Sequence, residues 1–123
     1  MRRTFMLAGA VAGFVGVALG AFAAHGLRGR LSPDTLAVFE TGVRYQMYHA
    51  LALMLTSALS TGGAIVHGRA AAAAGWLFVA GIVLFSGSLY ALAVTGIAVL
   101  GAITPLGGVA FLLGWACLAI ATL

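Results

Sequence analysis

Read as apolar and polar positions, the chain is a series of long apolar runs separated by short glycine- and arginine-rich breaks. After Arg2 and Arg3, one run begins at Phe5 and continues to Ala24, long enough for a helix to cross a bilayer. Its glycines, Gly9, Gly13, Gly16 and Gly20, are spaced four, three and four and share one helical face. Such a stripe lets another helix approach backbone to backbone, which is how helices associate in lipid. The first run is expected to be a packed span. AFAAHG at its end has the form of a signal-peptidase site and MRRTFML that of a twin-arginine leader. The length of the run and the spans that follow favour a retained helix.

HGLRGRL breaks the first run, and Ser32-Pro33-Asp34 then has the form of a helix start: a capping hydroxyl followed by proline at the first helical position. From 33 to about 44 the pattern is mixed, with Leu36, Val38, Phe39 and Val43 set among Asp34, Thr35, Glu40 and Thr41. That mixture predicts a short amphipathic helix at the membrane surface. Gly42 offers a bend into a second span over about 45–60, and glycine-rich breaks at 61–63 and 67–69 precede a third over about 71–95. The fourth runs from about 98 to 122; Pro105 either opens or kinks it, and Gly101 and Gly108 give it a thin face. The predicted fold is all-α, an integral membrane four-helix bundle with an interfacial helix between its first two spans, in one domain over 1–123.

Composition makes the membrane reading firm. Only 7% of the 123 residues are charged and 63% are apolar, whereas a soluble domain carries about 25% charged residues. The net charge of +4 comes from six arginines against Asp34 and Glu40. Scattered at span ends, without interleaved aromatics, these arginines read as orientation signals and headgroup contacts, and nucleic acid is rejected as a partner. Cys117 is the one cysteine, so neither an internal disulfide nor a Cys-x-x-Cys site exists, and it reads as apolar filler. If the spans alternate, Arg2, Arg3 and Arg69 lie on one side and Arg28, Arg30 and Arg44 on the other. With Arg44 drawn into the bundle, the balance places both termini in the cytoplasm.

The candidate chemistry gathers toward one side. Glu40 and Arg44 are four apart on a helix, as are Tyr45 and His49, and Arg44 and Tyr48. His25 lies at the same end, and Ser86, Ser88 and Tyr90 of the third span and Thr104 of the fourth reach a similar depth. Polar groups inside a membrane are costly, about 2.5–3.5 kcal/mol for arginine at a helix centre, and persist when paired or hydrated. This constellation is either a structural network locking the bundle or the lining of a small pocket, with Arg44 expected at its centre. No metal site is expected. No cofactor is expected either, haem held axially by His25 and His49 being the alternative the residues permit. Ser86 or Ser88 with His49 and Glu40 can be drawn as a triad, but no Gly-x-Ser-x-Gly elbow supports it, so no catalytic residue and no enzyme activity are expected.

GAFAAHGL, TGVRYQMYHALAL, GIVLFSGSLYALAVTG and GAITPLGGVAFLLGW together resemble domain-of-unknown-function family 423. This is a group of small four-span membrane proteins with relatives of eukaryotic transmembrane protein 256. The resemblance covers almost the whole chain and implies a bacterial plasma-membrane protein with no established activity and no catalytic residue to transfer. The family pattern usually has glycine where this chain has Ala23, a difference that matters only if helices touch there. The expected function is binding of a membrane lipid, a small molecule or a membrane-protein partner at a polar pocket near one interface. The alternative is a transporter-like or channel-like role, which at four spans requires a homo-oligomer.

Overall fold

The central helix starts as the sequence anticipates. Ser32 Oγ accepts a hydrogen bond from the Thr35 backbone N–H at 3.2 Å, and Pro33 takes a position where a missing N–H costs nothing. In the computed structural model, which describes residues 2–123, this helix runs unbroken from Pro33 to Thr61. Among the described residues the α-helices are α1 (Arg2–Phe22), α2 (Pro33–Thr61), α3 (Gly68–Gly81), α4 (Gly87–Thr95) and α5 (Thr104–Ala121). A π-turn, Ala23–Leu27, closes α1, and a second, Ile82–Ser86, joins α3 to α4 without leaving the helical path. A 3₁₀ turn, Ala98–Ala102, leads into α5, and Pro105 opens that helix rather than kinking it.

Among the described residues no strand forms, and three rods are long and apolar enough to cross a membrane: Arg2–Leu27, Gly68–Thr95 and Ala98–Ala121. α2 is equally long, at 29 residues, but more polar. Four of its polar side chains point inward: Gln46, His49, Thr56 and Ser57 are all buried. With Phe39, Gly42 and Leu53 they follow a three-four spacing along one face, the register of a helix packed in a bundle. α1 runs antiparallel to α2, with Gly20 opposite Val43 and Gly9 opposite Ala50, Leu53 and Met54. At the far end Ser57 Oγ donates to the Arg2 carbonyl at 2.7 Å, and the backbone N–H groups of Val66 and His67 donate to the Ala121 carbonyl. The larger apolar core gathers Phe5, Leu53, Phe78, Phe111 and Leu118; a smaller one under the first π-turn holds Ala23, Leu27, Phe39 and Ala93.

Four expectations change. Residues 33–44 are the first turns of α2, not a separate helix, because nothing breaks the backbone at Gly42. That glycine is a notch: a Cβ there would lie 2.8 Å from the Tyr90 ring. The thin face of α5 is formed by Gly107 and Gly114, which receive Phe85 and Phe78, while Gly101 and Gly108 have ordinary clearance. In the stripe of α1, Gly9, Gly16 and Gly20 meet α2, but a Cβ on Gly13 would have nothing within 4 Å. Ala23 is 1% exposed, so its methyl does sit where helices touch.

Candidate functional site

Hydrogen bonds between side chains and backbone tie the helices together at the depth the sequence suggested. Tyr90 on α4 donates its hydroxyl to Gln46 Oε1 on α2 at 2.6 Å, and Gln46 Nε2 donates onward to the Ala12 carbonyl of α1 at 2.8 Å. Ser86, fully buried in the second π-turn, donates to the Gly42 carbonyl at 2.7 Å. Ser88 and Thr104 share a 2.6 Å hydrogen bond that fixes α4 against the start of α5. Ser88 also bonds back to the Phe85 carbonyl at 3.0 Å, as a helical serine commonly does. Every buried side-chain nitrogen and oxygen among the described residues has a partner. This part of the constellation is a structural network.

His49 organises a different region. Its ring is 4% exposed and stacks on Phe111 with centroids 3.5 Å apart and planes 9° from parallel. Trp115 Nε1 lies 3.1 Å from His49 Nε2, and an indole nitrogen only donates. Nε2 therefore accepts, so Nδ1 carries the hydrogen and donates to the Tyr45 carbonyl 2.7 Å away. The imidazole is neutral with both nitrogens engaged. In front of it, between α2 and α5, opens a trough of about 640 Å³. Tyr45, Tyr48 and His49 form one wall, Val109, Leu112 and Trp115 the other, with Phe85 and Phe111 at the base. Tyr45 and Tyr48 are 38% and 53% exposed, and their hydroxyls take no part in the hydrogen bonds among the described residues. Tyr45 packs on Phe85 at 4.9 Å, which steadies the wall.

Arg44 is not at the centre. It is exposed, and no hydrogen bond of the network uses its guanidinium. The reason is angular: Arg44 precedes the inward Gln46 by two residues, which on a helix turns it to roughly the opposite side. With Glu40 and Arg28 it lines a separate cleft between α1 and α2. His25 is exposed on the first π-turn. Because Gly20 faces Val43 in antiparallel helices, His25 and His49 lie roughly 16 Å apart along the axes at about 1.5 Å per residue. They form no axial pair, and the engaged nitrogens of His49 do not fit a haem ligand. Nor do Ser86, Ser88, His49 and Glu40 assemble as a triad, since each hydroxyl and the imidazole bond elsewhere.

A family model described as "Protein of unknown function (DUF423)" matches residues 19–108. The chain belongs to that family. It is 50% identical to the UPF0382 membrane protein YwdK of Bacillus subtilis (strain 168), over 97% of this chain and 95% of the relative. It is 48% identical to the UPF0382 membrane protein SAB0533 of Staphylococcus aureus (strain bovine RF122 / ET3-1), over 98% of this chain and 95% of that one. It is therefore a membrane protein of a family whose activity is unknown. No solved structure matches the chain. The family match spans the hydroxyl network and the tyrosine wall of the trough, while Phe111 and Trp115 lie beyond its end.

Gln46 and Trp115 are the residues sequence reasoning missed. Gln46 has no charge to draw notice, yet its place in the three-four series from Phe39 marks it as inward. Trp115 resembles an interfacial anchor in sequence; only the fold sets it beside His49. Chemically, the trough presents apolar rings at its base and two free phenols at its rim.

Proposed function

We propose that this chain is a four-span protein of the bacterial plasma membrane whose α2–α5 trough binds a lipid-soluble amphiphile. The observation that carries the reading is the pair of spare phenols, Tyr45 and Tyr48, on the rim of an otherwise apolar trough. Ligand sites are mostly apolar, with a few polar groups that fix orientation. Counting α2 as a span is supported by its inward polar face and by Leu51 and Leu55, which are 62% and 45% exposed on other faces. At about 1.5 Å per residue α2 is roughly 43 Å long, against a hydrocarbon core of about 30 Å. Its first turns are then left for the headgroup zone, which keeps the surface character of 33–44 within a continuous helix. Arg44 sits beside Val43, level with Gly20, so its charge snorkels from inside the span. Arg44 then counts with Arg28 and Arg30, three arginines against Arg2, Arg3 and Arg69, and a cytoplasmic orientation of the termini has no support from arginine number. A reporter fused after Leu123 tests that orientation.

The test of the trough is Val109→Trp, an exposed wall position where a larger side chain fills the space without entering the core. Protein purified in mild detergent is expected to retain one amphiphile above the level of bulk lipid, by mass spectrometry of its organic extract. Val109→Trp is expected to lose it. Identical extracts from the two proteins would refute the binding reading. A wild-type oligomer that Val109→Trp turns into monomer would instead favour the oligomeric, transporter-like alternative, with a second copy covering the trough.

A further inference from the structure

A second opening lies on the other side of α2. Between α1 and α2 runs a groove of about 470 Å³, lined among others by Gly13, Phe14, Val17, Met47, Leu51 and Met54. Phe14, Val17 and Leu51 are 78%, 63% and 62% exposed, so the groove faces outward. Gly13 is the glycine of the stripe that meets no helix; its missing side chain is part of the groove. Toward the end of the bundle that carries Arg28 and Arg30, the cleft of Arg28, Glu40 and Arg44 opens between the same two helices, over Gly20, Ala24 and Val43. Met47 and Glu40, Leu51 and Arg44, and Val17 and Ala24 are each seven apart, two helical turns, so groove and cleft share one side of the pair.

We propose that a monoanionic phospholipid occupies this seam, its phosphate between Arg28 and Arg44 and an acyl chain in the groove beside Gly13. Guanidinium groups recognise phosphate through paired, charge-assisted hydrogen bonds, and both are exposed at the headgroup end of the seam. Two arginines and one glutamate leave the cleft at +1, which a monoanionic headgroup neutralises. The site is separate from the trough, which lies across α2 between α2 and α5.

The experiment measures binding of phosphatidylglycerol, phosphatidylethanolamine and phosphatidylcholine to the delipidated full chain in detergent by native mass spectrometry. Phosphatidylglycerol is expected to bind at least about tenfold tighter than either zwitterionic lipid, a difference on the scale of one good charged contact. Arg28→Gln with Arg44→Gln is expected to abolish that preference, and Glu40→Gln to strengthen it. Gly13→Leu is expected to weaken phosphatidylglycerol binding by filling the groove; should it fail to fold, Val17→Trp fills the same space from an exposed position. Val109→Trp, in the trough, is expected to leave phosphatidylglycerol binding unchanged. Equal affinity for the three lipids, or an unaffected double arginine variant, would overturn the proposal. So would inorganic phosphate displacing the lipid at equal concentration, which would mark a free-phosphate site, or loss of the lipid in Val109→Trp, which would move it to the trough.

Discussion

The seam between α1 and α2 and the seam between α3 and α5 are both opened by glycine, and they are filled differently. In the second, rings enter the notches: Phe111 lies against Gly81, Phe78 against Gly114 and, in the π-turn that continues α3, Phe85 against Gly107. In the first, Gly9 and Gly16 receive the side chains of Met54 and Met47, with the Ala50 carbonyl also close to Gly9. A ring has two side-chain torsions and a flat, fixed outline, so it fits one notch in one way. A methionine is unbranched and refills whatever space it is given. The α3–α5 half is therefore specified by shape, whereas the α1–α2 half is held by close approach and by the Gln46 bond to Ala12 and stays adaptable.

Glycine substitutions separate the halves most sharply. Gly107→Ala places a Cβ against the backbone N and Cα of Phe85, which cannot swing away. Overpacking of this kind costs about 3 kcal/mol or prevents folding, and unfolding in detergent will read it. Gly16→Ala meets Met47 Sδ at the end of a flexible chain and is expected to cost under about 1 kcal/mol. Equal losses for the two would break the comparison. Next in size is Tyr90→Phe, which leaves Gln46 Oε1 without its donor. Interhelical hydrogen bonds in membranes are worth about 0.6–1.7 kcal/mol, so its midpoint should fall between those of the two glycine variants. The smallest effect belongs to Arg44→Lys, which keeps the charge of an exposed side chain and should unfold with the wild type. A large loss there would return Arg44 to the network.

Three apolar rods, Arg2–Leu27, Gly68–Thr95 and Ala98–Ala121, were legible because a run of about twenty apolar residues has few other uses. Hydroxyls at a common depth were legible too: Ser88 and Thr104 do bond each other. Their partners were less so, since Ser86 bonds a backbone carbonyl and Tyr90 an uncharged amide, neither of which stands out in a list of ionisable residues. Reading α2 by charge put Arg44 at the centre. Reading it by the spacing of Phe39, Gly42, Gln46, His49 and Leu53 puts Arg44 outside, and that is the face the fold buries. The trough was half legible, through Tyr45, Tyr48 and His49. Its other wall comes from α5, and no spacing within one helix predicts a pairing across two.

The π-turn at Ile82–Ser86 leaves the helix with a phase offset, like one extra tooth in a gear train. The rod from Gly68 to Thr95 must present Gly81 to α5 and then Ser86 and Tyr90 to α2. The wider turn lets each half keep its own angular setting. Winding the same residues as plain α-helix, with none removed, would rotate everything beyond the turn by about 100°. Ser88 would lose Thr104, Tyr90 would leave the Gly42 notch, and the apolar composition of the span would hardly change. A sequence that closed this turn as ordinary α-helix would still look like a membrane span by its hydropathy while no longer specifying this bundle.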